Sequence, residues 1–213
     1  QVRGLPMAKV ITGVFPEKES EQSTKNDKPI PSYILHISIM FSDPLIWRRV
    51  QIPGTITLAT LHDVIQLSMG WTDSHMHQFL VGKISYEPTS GGSAIRESTK
   101  YDERNVKLYE LEEGMHFMFS YLYDSGGGWE HDIRLEEVVP HSKELLHPVL
   151  LSGEQACPPE TMSDIHEYQE LLESLEDPSK NSHLNLYELT GSNDFDPDAF
   201  DLAAAKDRFE VLK

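Results

Sequence analysis

The sequence predicts an α+β fold, a mostly antiparallel sheet with a ββα opening, a glycine-turn hairpin and C-terminal helices. Three observations carry that prediction. Apolar residues alternate with period two over residues 33–52, shift to helical spacing over 57–69, and alternate again on both sides of Gly126-Gly127-Gly128. Each change of period marks a change of element.

Taken in order, Tyr33, Leu35, Ile37, Ile39 and Phe41 alternate along a first strand. Asp43-Pro44 turns the chain, and Ile46 to Ile52 supplies a second strand ended by Pro53-Gly54. In the helix that follows, Thr57 is the N-cap, Leu58, Leu61, Ile65 and Met69 share a face with Val64 beside them, and Gly70 stops it. A strand over Met76 to Gly82 comes next, then a polar, glycine-rich loop from Tyr86 to Lys100. The glycine hairpin folds Phe117, Phe119, Tyr121 and Tyr123 onto Trp129, His131, Ile133 and Leu135, leaving Glu130, Asp132, Arg134 and Glu136 to water. Ile165, Tyr168, Leu171, Leu172 and Leu175 predict a helix that Pro178 stops. The last helix is expected to start at Asp196 as N-cap with Pro197 in its first turn, and with Phe200, Ala204 and Leu212 facing inward.

Residues 1–32 read as a flexible tail, because Glu17 to Ser32 has too few apolar side chains to offset the entropy of ordering, although Met7 to Phe15 can add one short edge strand. Residues 33–213 are expected to form a single domain. The lone Cys157 excludes an internal disulfide and fits a reducing compartment. With no long apolar run and no signal segment, a soluble, cytoplasmic protein with no membrane contact is expected.

Charge is uneven. Residues 1–100 carry a net of +1 and residues 101–213 a net of −18, which together give the formal −17 of the whole chain. Duplex DNA demands clustered cations that displace counterions from phosphate, so no duplex nucleic-acid partner is expected. A protein partner or a small molecule is the expected ligand.

The pocket that the sequence predicts is walled by Trp47, Trp71, Tyr123 and Trp129, with Arg48, His62, Asp73, His75, Asp124 and His131 as its polar members. His131 shares the apolar face of its strand, where its ring nitrogens need partners. Core packing alone also accounts for the tryptophans, and Asp124 also serves as a turn cap. No metal or other cofactor is the first expectation. The alternative is a divalent ion such as zinc on His75, His77 and His131, because Asp73, His75 and His77 leave one face if that segment is extended. Asp194, Asp196 and Asp198 do not make a calcium loop, since Ala199 and Ala205 stand where it needs glycine and glutamate. Cys157 has acidic neighbours in sequence and reads as structural rather than nucleophilic.

Four ordered segments carry a resemblance: Trp47-Arg48-Arg49-Val50, Leu61-His62-Asp63-Val64-Ile65-Gln66, Gly70-Trp71-Thr72-Asp73-Ser74-His75-Met76-His77-Gln78-Phe79, and Tyr123-Asp124 with Gly126, Trp129 and His131. With Cys157-Pro158-Pro159-Glu160 and Phe195-Asp196-Pro197, they resemble the plasmid ORF-3-like family of the pRiA4b type. The resemblance implies a mobile-element passenger, sometimes given a resolvase-like label, of no established activity. Ser125 and Gly127 depart from the family's usual phenylalanine and aspartate, and Thr161-Met162-Ser163-Asp164 departs from its usual glycine pair. Recombination needs a nucleophile among arginines, and only Arg48 and Arg49 lie together here.

Two function classes follow. The first is a non-enzymatic binding or accessory module with an aromatic, histidine and aspartate pocket; it is preferred because the departures fall where an enzyme tolerates least. The second is a small metal-dependent or acid-base hydrolase using the same cluster.

Overall fold

The structure, a computed structural model, describes residues 29–89, 100–124, 128–140, 145–177, 179–180 and 185–213. The expected tail strand over Met7 to Phe15 and the tip of the glycine turn lie outside them.

Eight strands form one sheet: β1 Ser32–Ile39, β2 Trp47–Pro53, β3 His77–Val81, β4 Ile84–Glu87, β5 Lys100–Asp102, β6 Phe119–Tyr123, β7 Trp129–Val139 and β8 Val149–Glu154. Their spatial order is β5-β4-β3-β6-β7-β1-β2-β8. Every pairing is antiparallel except that of β4 with β5. The fold is therefore α+β on a mostly antiparallel sheet, as the alternation predicts.

Register decides which side chains meet. β6 and β7 pair Tyr121 with His131 and Tyr123 with Trp129, while β3 places His77 against Tyr123 and Phe79 against Tyr121. All of these side chains leave the covered face of the sheet, since side chains alternate along a strand. That face is buried beneath α1, Leu58–Met69, whose Leu58, Leu61, Val64, Ile65 and Met69 pack into the same core as Leu35, Ile37, Phe79 and Tyr121. Thr57 Oγ1 accepts the Thr60 N–H at 3.2 Å and caps α1 at its start. Gly70, at φ 85°, ends it by donating its N–H to Gln66 O at 2.8 Å, a left-handed conformation natural to glycine.

The C-terminal segment adds α3, Ile165–Glu176, and α5, Leu202–Arg208, with the single turns α2, Glu112–Met115, and α4, Leu186–Thr190, beside them. Asp164 caps α3, which buries Ile165, Tyr168 and Leu171. Arg208 Nε donates to Leu67 O at 2.7 Å, tying α5 to the last turn of α1.

Three expectations need correction. Phe117 is 80% exposed and belongs to a turn after α2, so the hairpin strand begins at Phe119. The last helix starts at Leu202 with Asp201 as its cap, and its buried residues are Ala205 and, in the following turn, Phe209; Ala204 is exposed. The reason is local: the Asp196 carboxylate accepts the Asp198 N–H at 3.0 Å in a tight turn, while Phe200 is drawn over the Arg48 guanidinium at 4.0 Å. Finally, β4, β5 and β8 stand where a loop or helices were expected; β8 carries only three successive apolar residues, Val149, Leu150 and Leu151, too few to display a period.

Candidate functional site

The site begins with two polar residues on the buried side of α1. His62 and Gln66 are four apart, so they lie one turn above each other, and both reach the Tyr121 hydroxyl on β6. Gln66 Oε1 accepts the backbone N–H of Asp73 at 2.9 Å, which turns its amide nitrogen towards Tyr121, and Nε2 donates to Tyr121 Oη at 3.0 Å. Tyr121 then holds its own proton towards His62 Nδ1, at 2.7 Å. That choice leaves the proton of neutral His62 on Nε2, which lies 3.0 Å from Asp73 Oδ1. The hydrogen-bonded path runs from Asp73 through Gln66 and Tyr121 to His62, and returns to within 3.0 Å of the Asp73 carboxylate. Its last contact is poorly aligned, and His62 Nε2 is a buried nitrogen without a true hydrogen-bond partner. Burial and the stacked His77 hold the His62 imidazole down at about 4, against the pull of Asp73 and Glu103.

His77 opens β3 and lies flat on His62, with ring centroids 3.6 Å apart and planes 7° apart. Its Nε2 meets Glu103 Oε2 at 2.9 Å, and both side chains are buried. Each imidazole thus has one nitrogen held by an outer partner, Tyr121 for His62 and Glu103 for His77. Ligand atoms of His62, Asp73 and His77 all lie within 4.8 Å of one another, the sole such group of three among the described residues.

Asp73 is positioned from two sides. Its own backbone is left-handed, at φ 58°, a conformation uncommon outside glycine and asparagine-like residues. The flanking Thr72 and Ser74 are gripped by Glu160, whose carboxylate accepts Thr72 N–H at 2.8 Å, Thr72 Oγ1–H at 2.6 Å, Ser74 N–H at 3.1 Å and the Tyr123 hydroxyl. Burial pushes the Glu160 carboxyl up, but these bonds outweigh it and hold the group below its ordinary value. Trp71 Nε1 donates to Pro158 O at 2.9 Å, so Pro158 and Glu160 dock on the loop that carries Asp73. The Asp73 side chain itself is 60% exposed. It borders a surface cleft of about 370 Å³ lined by Asp63, Gln66, Trp71, Thr72 and Val211 among others. Partial burial, with Asp73 and Glu103 nearby, raises the Asp63 carboxyl.

The aromatic wall gathers on the covered face. Trp71 stacks on Tyr123 with centroids 5.1 Å apart, tilts against Trp129 at 5.9 Å and meets His131 edge-on at 5.4 Å. His131 is fully buried, and its Nδ1 donates to Tyr121 O at 3.2 Å, leaving Nε2 without a partner. Burial holds its imidazole down at about 4. His75 stands apart at the rim, edge-on to Tyr123 at 5.4 Å and 3.9 Å from Asp124, which is itself left-handed at φ 62°.

Two predicted members point elsewhere. Trp47 alternates with Arg48 along β2 and so occupies the opposite face of the sheet, stacked on His36 at 5.1 Å. Arg48, 1% exposed, donates to the carbonyls of Ser68, Trp47, Glu154 and Gln155 and clamps the ends of α1 and β8. It sits near Cys157, whose thiol burial pushes up to about 12 despite Arg48 and Arg208. The metal alternative of His75, His77 and His131 is not the set that converges, because the left-handed turn at Asp73 means the segment before β3 is not extended. His62 and Asp73 take the places of His75 and His131.

Gln66, Glu103, Tyr121 and Glu160 went unassigned in the sequence. Gln66 was legible as a polar residue one turn from His62 within a buried stripe. Glu103 carries no such signal; its partner is 26 residues away.

A fold of this kind, a helix-covered and mostly antiparallel sheet, is found in a solved structure as well. The chain belongs to the plasmid pRiA4b ORF-3-like family, which it matches over residues 31–204. It is 36% identical over 166 residues to the uncharacterized protein y4hQ of Sinorhizobium fredii, covering 76% of this chain and 82% of that one. The crystal structure of MM3350, a protein of unknown function from Methanosarcina mazei Go1, superposes with a TM-score of 0.69 at 28% identity, over 83% of this chain and 97% of the other. No helix among the described residues is long and apolar enough to cross a membrane.

Proposed function

We infer that the protein is a non-enzymatic binding or accessory module that takes a cationic group, from a small molecule or a protein partner, in the cleft at Asp73. The observation that carries this reading is the partition of the site. His62, Gln66 and Tyr121 are buried and joined by hydrogen bonds, and buried His77 is stacked on His62 and paired with Glu103, whereas Asp73 faces the cleft with Asp63 close by. Groups sealed in this way shape a surface rather than exchange protons with a substrate. Two carboxylates beside the indole of Trp71 and the hydroxyl of Thr72 suit an ammonium or guanidinium group. The acidic excess of residues 101–213 attracts the same partners and disfavours duplex DNA.

Chelator-treated protein titrated with arginine amide and with cadaverine, followed by backbone amide shifts, tests the reading. Perturbations should cluster at Asp63, Trp71, Thr72 and Asp73, and Asp73→Asn should weaken them. Shifts scattered over the acidic surface, or unchanged by Asp73→Asn, would defeat it.

A further inference from the structure

We propose that His62, Asp73 and His77 bind one divalent transition-metal ion of the zinc type. This goes beyond the cleft reading, which requires no metal. Zinc takes imidazole nitrogen and carboxylate oxygen at about 2.0–2.2 Å, so two tetrahedral ligands lie about 3.4 Å apart. The three ligand atoms lie within 4.8 Å of one another, and closing on an ion takes a contraction of at most about 1.4 Å together with a turn of one imidazole, because the His62 and His77 rings are stacked 7° from parallel and their in-plane lone pairs must converge.

A second, independent observation points to a ligand. His62 Nε2 is buried and lacks an aligned hydrogen bond, although a carboxylate oxygen stands 3.0 Å away. A nitrogen and a carboxylate oxygen 3.0 Å apart with no hydrogen bond between them have a separation close to that of two donors sharing an ion. Supporting partners are already in place as well. Ligating histidines characteristically donate their other ring N–H to a carboxylate or similar group, as His77 can to Glu103 at 2.9 Å, and His62 Nδ1 has Tyr121 Oη at 2.7 Å to receive its proton in the tautomer that frees Nε2. All three donors come from residues 62–77: His62 within α1, Asp73 in the loop after it and His77 at the start of β3. Loading requires the other neutral tautomer of His62: the ring proton moves from Nε2 to Nδ1, which then donates to Tyr121 Oη while the tyrosine hydroxyl proton turns away, with no net proton released. Asp63 and Glu103 offset the dication's charge, and the exposed side of Asp73 leaves an entry route from the cleft.

Two imidazoles and one carboxylate suit zinc, and iron(II) as well. The test therefore uses zinc, with cobalt(II) absorption to report the coordination and iron(II) as competitor. Full-length protein stripped by chelator should bind one equivalent of zinc in equilibrium dialysis. Asp73→Asn should lower affinity at least about tenfold with the fold kept, since that side chain is largely exposed. His77→Gln should do the same while leaving arginine-amide binding by stripped protein intact, which separates this site from the cleft. His75→Gln, outside the trio, should stay within twofold of wild type. No stoichiometric binding by folded wild type, or full affinity in Asp73→Asn, refutes the site, as does loss of binding in His75→Gln. If His77→Gln does not fold, Asp73→Asn alone decides.

Discussion

Replacing His131 by leucine should change stability by an amount that depends steeply on pH. The side chain is fully buried between Trp71 and Tyr121, donates through Nδ1 to a strand carbonyl and leaves Nε2 without a partner. Exchanging a half-satisfied imidazole for an apolar side chain of similar volume is close to neutral at pH 7.5, because the lost hydrogen bond of about 1 kcal/mol is offset by removal of an orphaned acceptor. Acid changes the balance. Burial depresses the folded value from 6.5 to about 4, so the unfolded chain binds the proton first. Stability from the buried neutral ring is therefore complete above pH 6.5 and is lost as pH falls through 4. Two-state linkage over that interval gives wild type a deficit of about 2 kcal/mol at pH 5 and about 3 kcal/mol at full effect, relative to a residue that does not titrate. Urea unfolding of wild type and His131→Leu at pH 7.5 and pH 5 measures it, since other titrating groups cancel in the difference. His131→Ala supplies the contrast, costing about 1–3 kcal/mol at both pH values on top of the same trend, through the cavity it leaves. If the His131→Leu difference shifts by less than about 0.5 kcal/mol between the two pH values, the buried neutral imidazole is wrong.

Two further substitutions address the scaffold. Tyr121→Phe strips the shared hydroxyl from His62 and Gln66 and should cost about 2–4 kcal/mol, seen as a lower urea midpoint with unchanged slope; a loss below about 0.5 kcal/mol would dissolve the hydrogen-bond circuit. Gly153→Ala should destabilise by about 1–3 kcal/mol in thermal unfolding, because a Cβ there would stand 2.8 Å from both Arg48 Cδ and Phe200 Cε1; wild-type stability would mean that the carbonyl clamp around Arg48 is loose.

Period made much of this fold legible. β1, β2, α1, β3, β6 and β7 carry, within themselves or with the residues beside them, an apolar spacing that commits them to one geometry, and caps such as Thr57 and Gly70 fix the ends of α1. β4, β5 and β8 escaped because short strands at or near a sheet edge owe their state to a neighbouring backbone rather than to their own pattern. The site divides in the same way. His62, Trp71, Asp73, His77, Trp129 and His131 stood out by chemistry, but their partners are set by register and packing. One left-handed residue, Asp73, sends His75 to the rim and leaves His77 in the core, and a one-dimensional reading of alternate residues cannot contain that turn.

The geometry also explains why segments far apart in sequence appear together. Cys157-Pro158-Pro159-Glu160 lies more than 80 residues after Trp71-Thr72-Asp73-Ser74, yet its carbonyl and carboxylate receive the Trp71 indole, two backbone N–H groups and two hydroxyls. Proline at 158 and 159 restricts that backbone before docking, so less entropy is lost when Glu160 is seated. A carboxylate is suited to this position because the donors converge on it from one side, and charge-assisted bonds are roughly twice as strong as neutral ones. The loop it holds places Asp73 in a left-handed conformation that an isolated chain would seldom adopt, with His62 on one side and the cleft on the other. The strain at Asp73 is thus sustained by contacts at Glu160, Pro158 and Gln66, none of which lies in its own turn. Such remote support is warranted only if the direction of that one carboxylate matters, and its two neighbours, a buried nitrogen lacking a partner and an open acidic cleft, supply the reason.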